Sequence, residues 1–231
     1  MNRTAKEDDL NYSLFLAALR NANQYIKDAE QLINNKSYGH AYALIVFAIE
    51  EVGKSFLALE CFFTRKKINK NYLQKHLYNH PEKQIKSFKV ITTLIFDTWF
   101  ESSKYKDGIY QILQKYQKNE INYPQFENQI LSIARKDQSK FATLTESLIM
   151  SLQVFRDYKE VLHELRLDAM YVDIKENKIC SPQDFILDTV SPFFRVWRDL
   201  IDIFRQIEVE ITTTDVDISC LNKLNRYILF Q

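Results

Sequence analysis

The sequence predicts an all-α protein built as a bundle of long helices. Turn-forming residues are scarce, since the 231 residues include only three glycines and four prolines. Apolar residues recur every three to four positions over long stretches, which is the period of an amphipathic helix. Aromatic residues are abundant, with 16 Phe and 13 Tyr, and a chain of this length can bury a substantial core.

Two long helices open the chain. Asp8 or Asp9 can cap a helix that continues to about residue 34, where the segment NNKSYG ends it. Ser37 can cap a second helix over about 38–65. The short connection and the matched lengths predict that these two helices form an antiparallel pair.

The middle of the chain is predicted in three parts. Pro81 suits the first turn of a helix that continues to about Ser102. Residues 103–138 have the pattern of two short helices or of an inserted subdomain. A long helix is then expected from Ser139 to about Asp173.

The C-terminal part contains a helix-start signal, with Ser181 as the cap, Pro182 at the first helical position and Asp184 in the first turn. Pro192 should bend or break the helix that follows, and TTTD at 212–215 should begin a last short helix. We therefore expect a single helical domain, with a core at about 8–102 and 139–176, an insertion at about 103–138 and a C-terminal helical extension at about 181–231.

The charges and cysteines of the chain predict a cytoplasmic protein. Lys and Arg total 31 against 30 Asp and Glu, so no overall charge attracts nucleic acid. The three cysteines lack CxxC spacing, which is typical of reduced thiols in the cytosol. The polar start MNRTAKEDDL is unlike a signal peptide. The longest apolar runs fall short of the roughly 20 residues of a membrane span, so we expect no membrane contact.

The segment HAYALIVFAIEEVGK, residues 40–54, places charged residues in an apolar helix. At about 100° per residue, Glu51 shares a stripe with Leu44 and Phe47, so it should be buried and should need a cationic partner. Glu50 lies nearer an edge, where a surface pair with Lys54 at i,i+4 is the simpler interpretation. The helix is apolar on nearly every face, which predicts burial between other helices or at a dimer contact.

Two further patterns could carry chemistry. His76 and His80 are spaced i,i+4, as zinc ligands on a helix can be, but no HExxH pattern completes them, and we expect neither a metal nor a cofactor. Arg156 and His163 would share one helix face. An Arg that binds phosphate and a His that transfers a proton would suit RNA cleavage by an attacking 2′-hydroxyl. An exposed helix face paired through its carboxylates explains the same two residues without chemistry.

Three stretches resemble AbiV-type abortive-infection proteins. They are LRNANQYIKDAEQLINNKSYGHAYALIVFAIEEVGKSFLAL, YNHPEKQ and ELRLDAMYVD, and together they span residues 19–173. The resemblance implies a HEPN-like helical bundle, usually dimeric, that acts in bacterial antiphage defence. It also implies that a phage-encoded protein is the trigger or ligand, and that the infected cell is shut down once the phage component is sensed.

The resemblance also implies an activity. Many HEPN proteins are metal-independent ribonucleases that use an Arg, four to six residues, and then a His. Arg166 and Tyr171 stand where the AbiV pattern has its Arg and Tyr, so that a Tyr replaces the usual His. Arg156 and His163 satisfy the general HEPN spacing and are the competing pair.

The other site residues follow from the matching segments. Glu51 and Lys54 on the second helix, and His80 and Lys83 in YNHPEKQ, are expected to approach Arg166, with Glu51 paired to its guanidinium. Two functions remain open. One is a dimeric toxin that cleaves RNA or otherwise arrests translation. The other is a non-catalytic module that binds a phage or host protein through the same polar cleft.

The first testable prediction concerns assembly. Because the helix over about 38–65 is apolar on nearly every face, we expect a homodimer with this helix, or the helix over 139–173, near the two-fold axis. Light scattering at micromolar concentration should give about twice the chain mass of 27.5 kDa. A monomer mass would contradict the prediction.

Overall fold

The computed structural model describes residues 9–65, 68, 70–175 and 178–213. It describes only the backbone of residues 63, 70, 73–74, 89, 91–94, 97, 151–165, 173–175 and 203–213. Over this part of the chain the predicted all-α fold is confirmed, with one short hairpin in addition. The helices are α1 Leu10–Asn34, α2 Tyr38–Phe63, α3 Lys70–Tyr72, α4 His80–Ser102, α5 Lys106–Gln117, α6 Tyr123–Ala134, α7 Lys140–Met170 and α8 Leu187–Thr213. None of the described helices combines the length and apolar character needed to cross a bilayer.

The first helix begins as the sequence predicts. The Asp9 carboxylate caps α1 by accepting hydrogen bonds from the backbone N–H groups of Asn11 and Tyr12, at 2.8 and 3.3 Å. A set of apolar residues spaced three to four apart forms its buried face: Tyr12, Phe15, Ala18, Leu19, Ala22, Ile26 and Ala29. Ser37 precedes α2, but its hydroxyl gives no cap hydrogen bond and lies 3.0 Å from His40 Nδ1 instead.

Helix α2 is buried on nearly all sides by the chain itself. Three successive residues, Ala41, Tyr42 and Ala43, point in directions about 100° apart around the helix, and all three are buried. Helix α1 packs against α2, and α8 packs against both of them. The apolar character of α2 is therefore accounted for within one chain, and the homodimer stays a prediction.

Two glycines mark places where backbones approach too closely for a side chain. A Cβ on Gly53 of α2 would lie 1.9 Å from the carbonyl oxygen of Lys83 on α4. A Cβ on Gly39, at the start of α2, would lie 2.4 Å from the carbonyl oxygen of Pro182. The absence of a side chain at Gly53 is what allows α4 to lie directly against α2.

The region after α7 differs from the prediction. Helix α7 ends at Met170 and is followed by two short strands, β1 Asp173–Lys175 and β2 Lys178–Cys180, which pair antiparallel. Ser181 does cap a turn, because Asp184 and Ser181 form a capping box, but that turn is a 3₁₀ helix, Pro182–Asp184. The α-helix begins only at Leu187.

Of the two outcomes expected at Pro192, a bend or a break of the last helix, the break does not occur. Helix α8 is continuous through Pro192 and reaches Thr213. The helix passes Thr212, where a new start was predicted, and residues 214–231 lie outside the described residues. A proline removes one backbone donor and crowds the preceding turn, and packing of α8 on α1 and α2 offsets that cost.

The described chain divides into two compact units, one up to Ser87 together with Lys159 onward, and the other Phe88–Tyr158. The second unit contains the two short helices predicted for residues 103–138, which are α5 and α6. Within it, Asp137 accepts hydrogen bonds from Trp99 Nε1 and Ser103 Oγ, both at 2.8 Å. Burial raises the pKa of Asp137, but these hydrogen bonds outweigh burial and hold that pKa below its usual value. The single-domain organisation stays a prediction.

The approach of α4 to α2 can be tested at Gly53. The change Gly53→Ala places a methyl group against the Lys83 backbone, and we expect it to lower the free energy of unfolding by about 1–3 kcal/mol, measured from urea midpoints. Gly108→Ala is the matched control, because a Cβ there would lie 3.7 Å from Ile133 Cδ1, an ordinary contact. Gly108→Ala should leave stability unchanged or raise it. Equal midpoints for the two variants would show that the close approach is absent.

Candidate functional site

Glu50 is a buried residue of α2, and its carboxylate joins three segments of the first unit. Its Oε2 lies 2.6 Å from His80 Nδ1 and 3.7 Å from Lys83 Nζ. Its Oε1 accepts hydrogen bonds from Gln84 Nε2 at 2.9 Å and from Arg166 Nη1 at 3.1 Å. These five residues are called the Glu50 cluster below.

The local sequence explains how the cluster forms. His80, Lys83 and Gln84 lie at i, i+3 and i+4 on α4, so they share one helix face near its start. Pro81 suits this first turn because its missing N–H is not needed there. Gly53, three residues after Glu50, lets this end of α4 reach α2. Arg166 comes from the last turns of α7.

The proton on the His80 ring follows from its partner. An ionised carboxylate only accepts hydrogen bonds, so Nδ1 of His80 must donate to Glu50. In the neutral imidazole, Nε2 is then the proton acceptor. Arg166 Nη1 lies 3.3 Å from the same Nδ1, but both are donors and both point at Glu50. The His80 side chain is 41 % exposed while that of Glu50 is 3 % exposed, so the imidazole forms the solvent-facing side of the cluster.

The cations of the cluster are buried. Burial lowers the pKa of Lys83 by disfavouring its ammonium form, while the carboxylate of Glu50 opposes this shift. The ammonium of Lys54 lowers the pKa of Lys83 further, and Glu51 raises it. The Arg166 guanidinium also stacks over the Phe47 ring at 5.2 Å from the centroid. The pair of Lys54 and Glu51 therefore lies within electrostatic reach of the cluster.

The structure reverses the predicted roles of the two neighbouring carboxylates. Glu51 was expected to be the buried one and to hold Arg166, but its side chain is 13 % exposed and pairs with Lys54 one turn away. Glu50 was expected at the surface with Lys54, but it is buried and holds Arg166. The reason is that the stripe of Leu44, Phe47 and Glu51 is the least buried side of α2, whereas the side that carries Glu50 is enclosed by α4 and the end of α7.

The other predicted site residues fall in different places. Tyr171 follows the last residue of α7, is 57 % exposed and, among the described side chains, makes no hydrogen bond to the cluster. Arg156 and His163 lie on α7, but their side chains are outside the described ones. The structure thus brings together His80, Lys83 and Arg166 of the predicted set, with Lys54 and Glu51 nearby.

The two histidines with zinc-like spacing bind separate carboxylates. His76 lies in a π-helical turn, pairs with Glu82 and stacks on Tyr72 at a centroid distance of 4.5 Å. His80 is held by Glu50 instead. Within the described ranges, no group of three His, Cys, Asp or Glu side chains is arranged to hold a metal ion.

Sequence reasoning missed two members of the cluster, Glu50 and Gln84. Gln84 could have been found from spacing, because it lies one helical turn after His80 and shares its face. Glu50 could not, because the close approach of α4 near Gly53 is visible only in the structure. The hydrophobic pattern alone could not identify either residue, because it compares the faces of one helix and does not give the position of the neighbouring helix.

One protein-family model matches most of the chain. The HEPN family model described as AbiV matches residues 13–201. That range includes every residue of the Glu50 cluster. No curated protein and no solved structure matches the chain.

The reversed carboxylates give a direct stability test. Glu50→Gln leaves the buried cations Arg166 and Lys83 without their counter-charge and should cost about 3–5 kcal/mol. Glu51→Gln breaks only a helical i,i+3 pair with Lys54 and should cost no more than about 0.5 kcal/mol. Urea unfolding of both variants measures the difference. If Glu51→Gln lowers the free energy of unfolding more than Glu50→Gln does, Glu51 is the partner of Arg166, as the sequence predicted.

Proposed function

The chain belongs to the AbiV family of HEPN proteins, and on that premise we propose that it is an abortive-infection effector that cleaves RNA without a metal, as a cytoplasmic homodimer. The family resemblance of the three sequence stretches is confirmed. The observation that best supports RNA cleavage is the pair of His80 and Glu50, in which a solvent-facing imidazole is held by a buried carboxylate.

The proposed reaction is an internal transfer at one phosphate. The 2′-hydroxyl of a ribose attacks the adjacent phosphorus as its proton passes to His80 Nε2. The bond from phosphorus to the 5′-oxygen breaks, and that oxygen takes up a proton as it leaves. Glu50 keeps the proton on Nδ1 and stabilises the imidazolium that forms, which is the part a carboxylate plays beside a catalytic histidine.

The neighbouring cations suit the charge that develops on the phosphate. Arg166 and Lys83 contact the same carboxylate as His80. Their positive charges would stabilise negative charge that develops on a phosphate bound at the solvent-facing side of the Glu50 cluster. A lowered pKa makes Lys83 a better proton donor for the departing 5′-oxygen than an ordinary lysine. Lys54, held by Glu51 and 24 % exposed, would contact the RNA backbone.

The homodimer and the trigger are proposed from the family. We take the trigger to be a phage-encoded protein, and the result to be a halt in translation of the infected cell. Tyr171 is exposed just beyond α7 and would contact a nucleobase or a partner rather than the buried cluster.

The test is to map RNA ends after expression with and without phage. Discrete new ends should appear with the parent chain and disappear with His80→Gln, which removes the proton acceptor; loss of such a group lowers a rate by about 10²–10⁴-fold. His76→Gln is the matched control, because His76 pairs with a different carboxylate, Glu82. It should cleave like the parent, and a chelator should change neither.

Other outcomes would redirect the proposal. Cleavage that survives His80→Gln and is lost with His163→Ala would move the chemistry to Arg156 and His163. Intact RNA together with halted growth would replace the nuclease by a protein that acts through binding a phage or host protein.

A further inference from the structure

We infer that Gln84 is a positioning residue, which holds the Glu50 carboxylate so that Oε2 faces His80 and thereby sets which ring nitrogen of His80 can accept a proton. The consequence for cleavage rests on the proposed function. The arrangement itself does not, and can be measured without any activity.

The orientation of Gln84 is fixed by its partner. Its side chain is 1 % exposed, and its Nε2 lies 2.9 Å from Glu50 Oε1. Because the carboxylate only accepts, the amide NH₂ must face it. The amide oxygen of Gln84 is then turned into the interior, where no donor among the described residues reaches it.

This orientation is costly for stability. A buried acceptor without a donor costs about 1–3 kcal/mol. An apolar side chain of the same length would avoid that cost, since Glu50 already has buried cations beside it. The contact with Glu50 gives the buried amide of Gln84 a role that an apolar side chain could not fill.

The second observation is a competition for Glu50. Arg166 Nη1 lies 3.1 Å from Oε1 and 3.4 Å from Oε2, so the guanidinium straddles both oxygens. A carboxylate that is free to turn tends to meet an Arg with both oxygens, which would withdraw Oε2 from His80. The Gln84 amide pins Oε1 and keeps Oε2 at 2.6 Å from His80 Nδ1.

The choice of a neutral amide matters for the same reason. A third cation at this place would compete with His80 for the carboxylate. The amide adds a donor without adding charge. With Oε2 held toward it, the imidazole keeps its proton on Nδ1, and Nε2 remains a proton acceptor. Without that hold, the ring can carry its proton on Nε2, and this nitrogen can no longer accept the proton of a 2′-hydroxyl.

Nitrogen NMR of the histidine rings tests the inference. The chain has four histidines, so the His80 ring can be assigned by comparison with His80→Gln. In the parent, neutral His80 should carry its proton on Nδ1. In Gln84→Met, which keeps the length and removes the donor, the proton should move to Nε2 in most molecules. The urea midpoint should be retained or raised, because the unmatched buried oxygen is gone.

Ser87→Ala is the matched control for this experiment. Ser87 lies one turn further on α4, is fully buried, and its hydroxyl has no hydrogen-bond partner among the described residues. Its removal changes a buried polar group on the same face without touching Glu50, so the His80 ring should be unaffected. If Ser87→Ala moves the proton as well, repacking of α4 is the cause and the inference is wrong.

Failure of this inference can be told apart from failure of the proposed function. The role of Gln84 is overturned, whether or not RNA is cleaved, by either of two results. One is that His80 of the parent carries its proton on Nε2, and the other is that the His80 ring of Gln84→Met matches that of the parent. If the parent cleaves RNA, Gln84→Met should lower kcat by about 10- to 100-fold with little change in KM, a loss of the size seen when the group that orients a metal-binding histidine is removed. If the ring responds as expected and no RNA is cleaved, only the proposed function falls.

Discussion

The ion pair between buried Glu50 and buried Arg166 is the constraint on which the rest of the first unit depends. The two residues are 116 positions apart in sequence, and their contact fixes the end of α7 against α2. A buried carboxylate is costly unless it is paired and hydrogen-bonded, so the chain must deliver several donors to one place. It does so with one face of α4, and the absence of a side chain at Gly53 makes the approach possible.

The same constraint couples stability to function. His80 and Lys83 are partners of Glu50, and they are also the groups proposed to accept and donate protons. Solvent exposure differs across the cluster: the Glu50 carboxylate and the Arg166 guanidinium are buried, and the His80 imidazole faces solvent. A variant of Glu50, Lys83 or Arg166 therefore acts through folding and through the site together, whereas a variant of the solvent-facing His80 separates the two.

The sequence predicted the helices better than it predicted their ends and contacts. Helix period and caps such as Asp9 are local signals, and they located α1, α2, α4 and the pair α5 and α6. The hairpin was missed because its strands are three residues long, too short for an alternating pattern to be read. The break expected at Pro192 did not occur because packing on neighbouring helices outweighs one missing donor. Glu50 and Glu51 were exchanged because a helical projection does not contain the position of the next helix.

The most direct test of the central claim is a double-mutant cycle between Glu50 and Arg166 in urea unfolding, using Glu50→Gln and Arg166→Met. We expect a coupling of about 0.5–3 kcal/mol, as for residues in one buried network. The parallel cycle between Glu51 and Arg166 should give a coupling near zero, since Glu51 pairs with Lys54. A strong coupling of Arg166 to Glu51, with none to Glu50, would show that Glu50 is not the buried partner of Arg166.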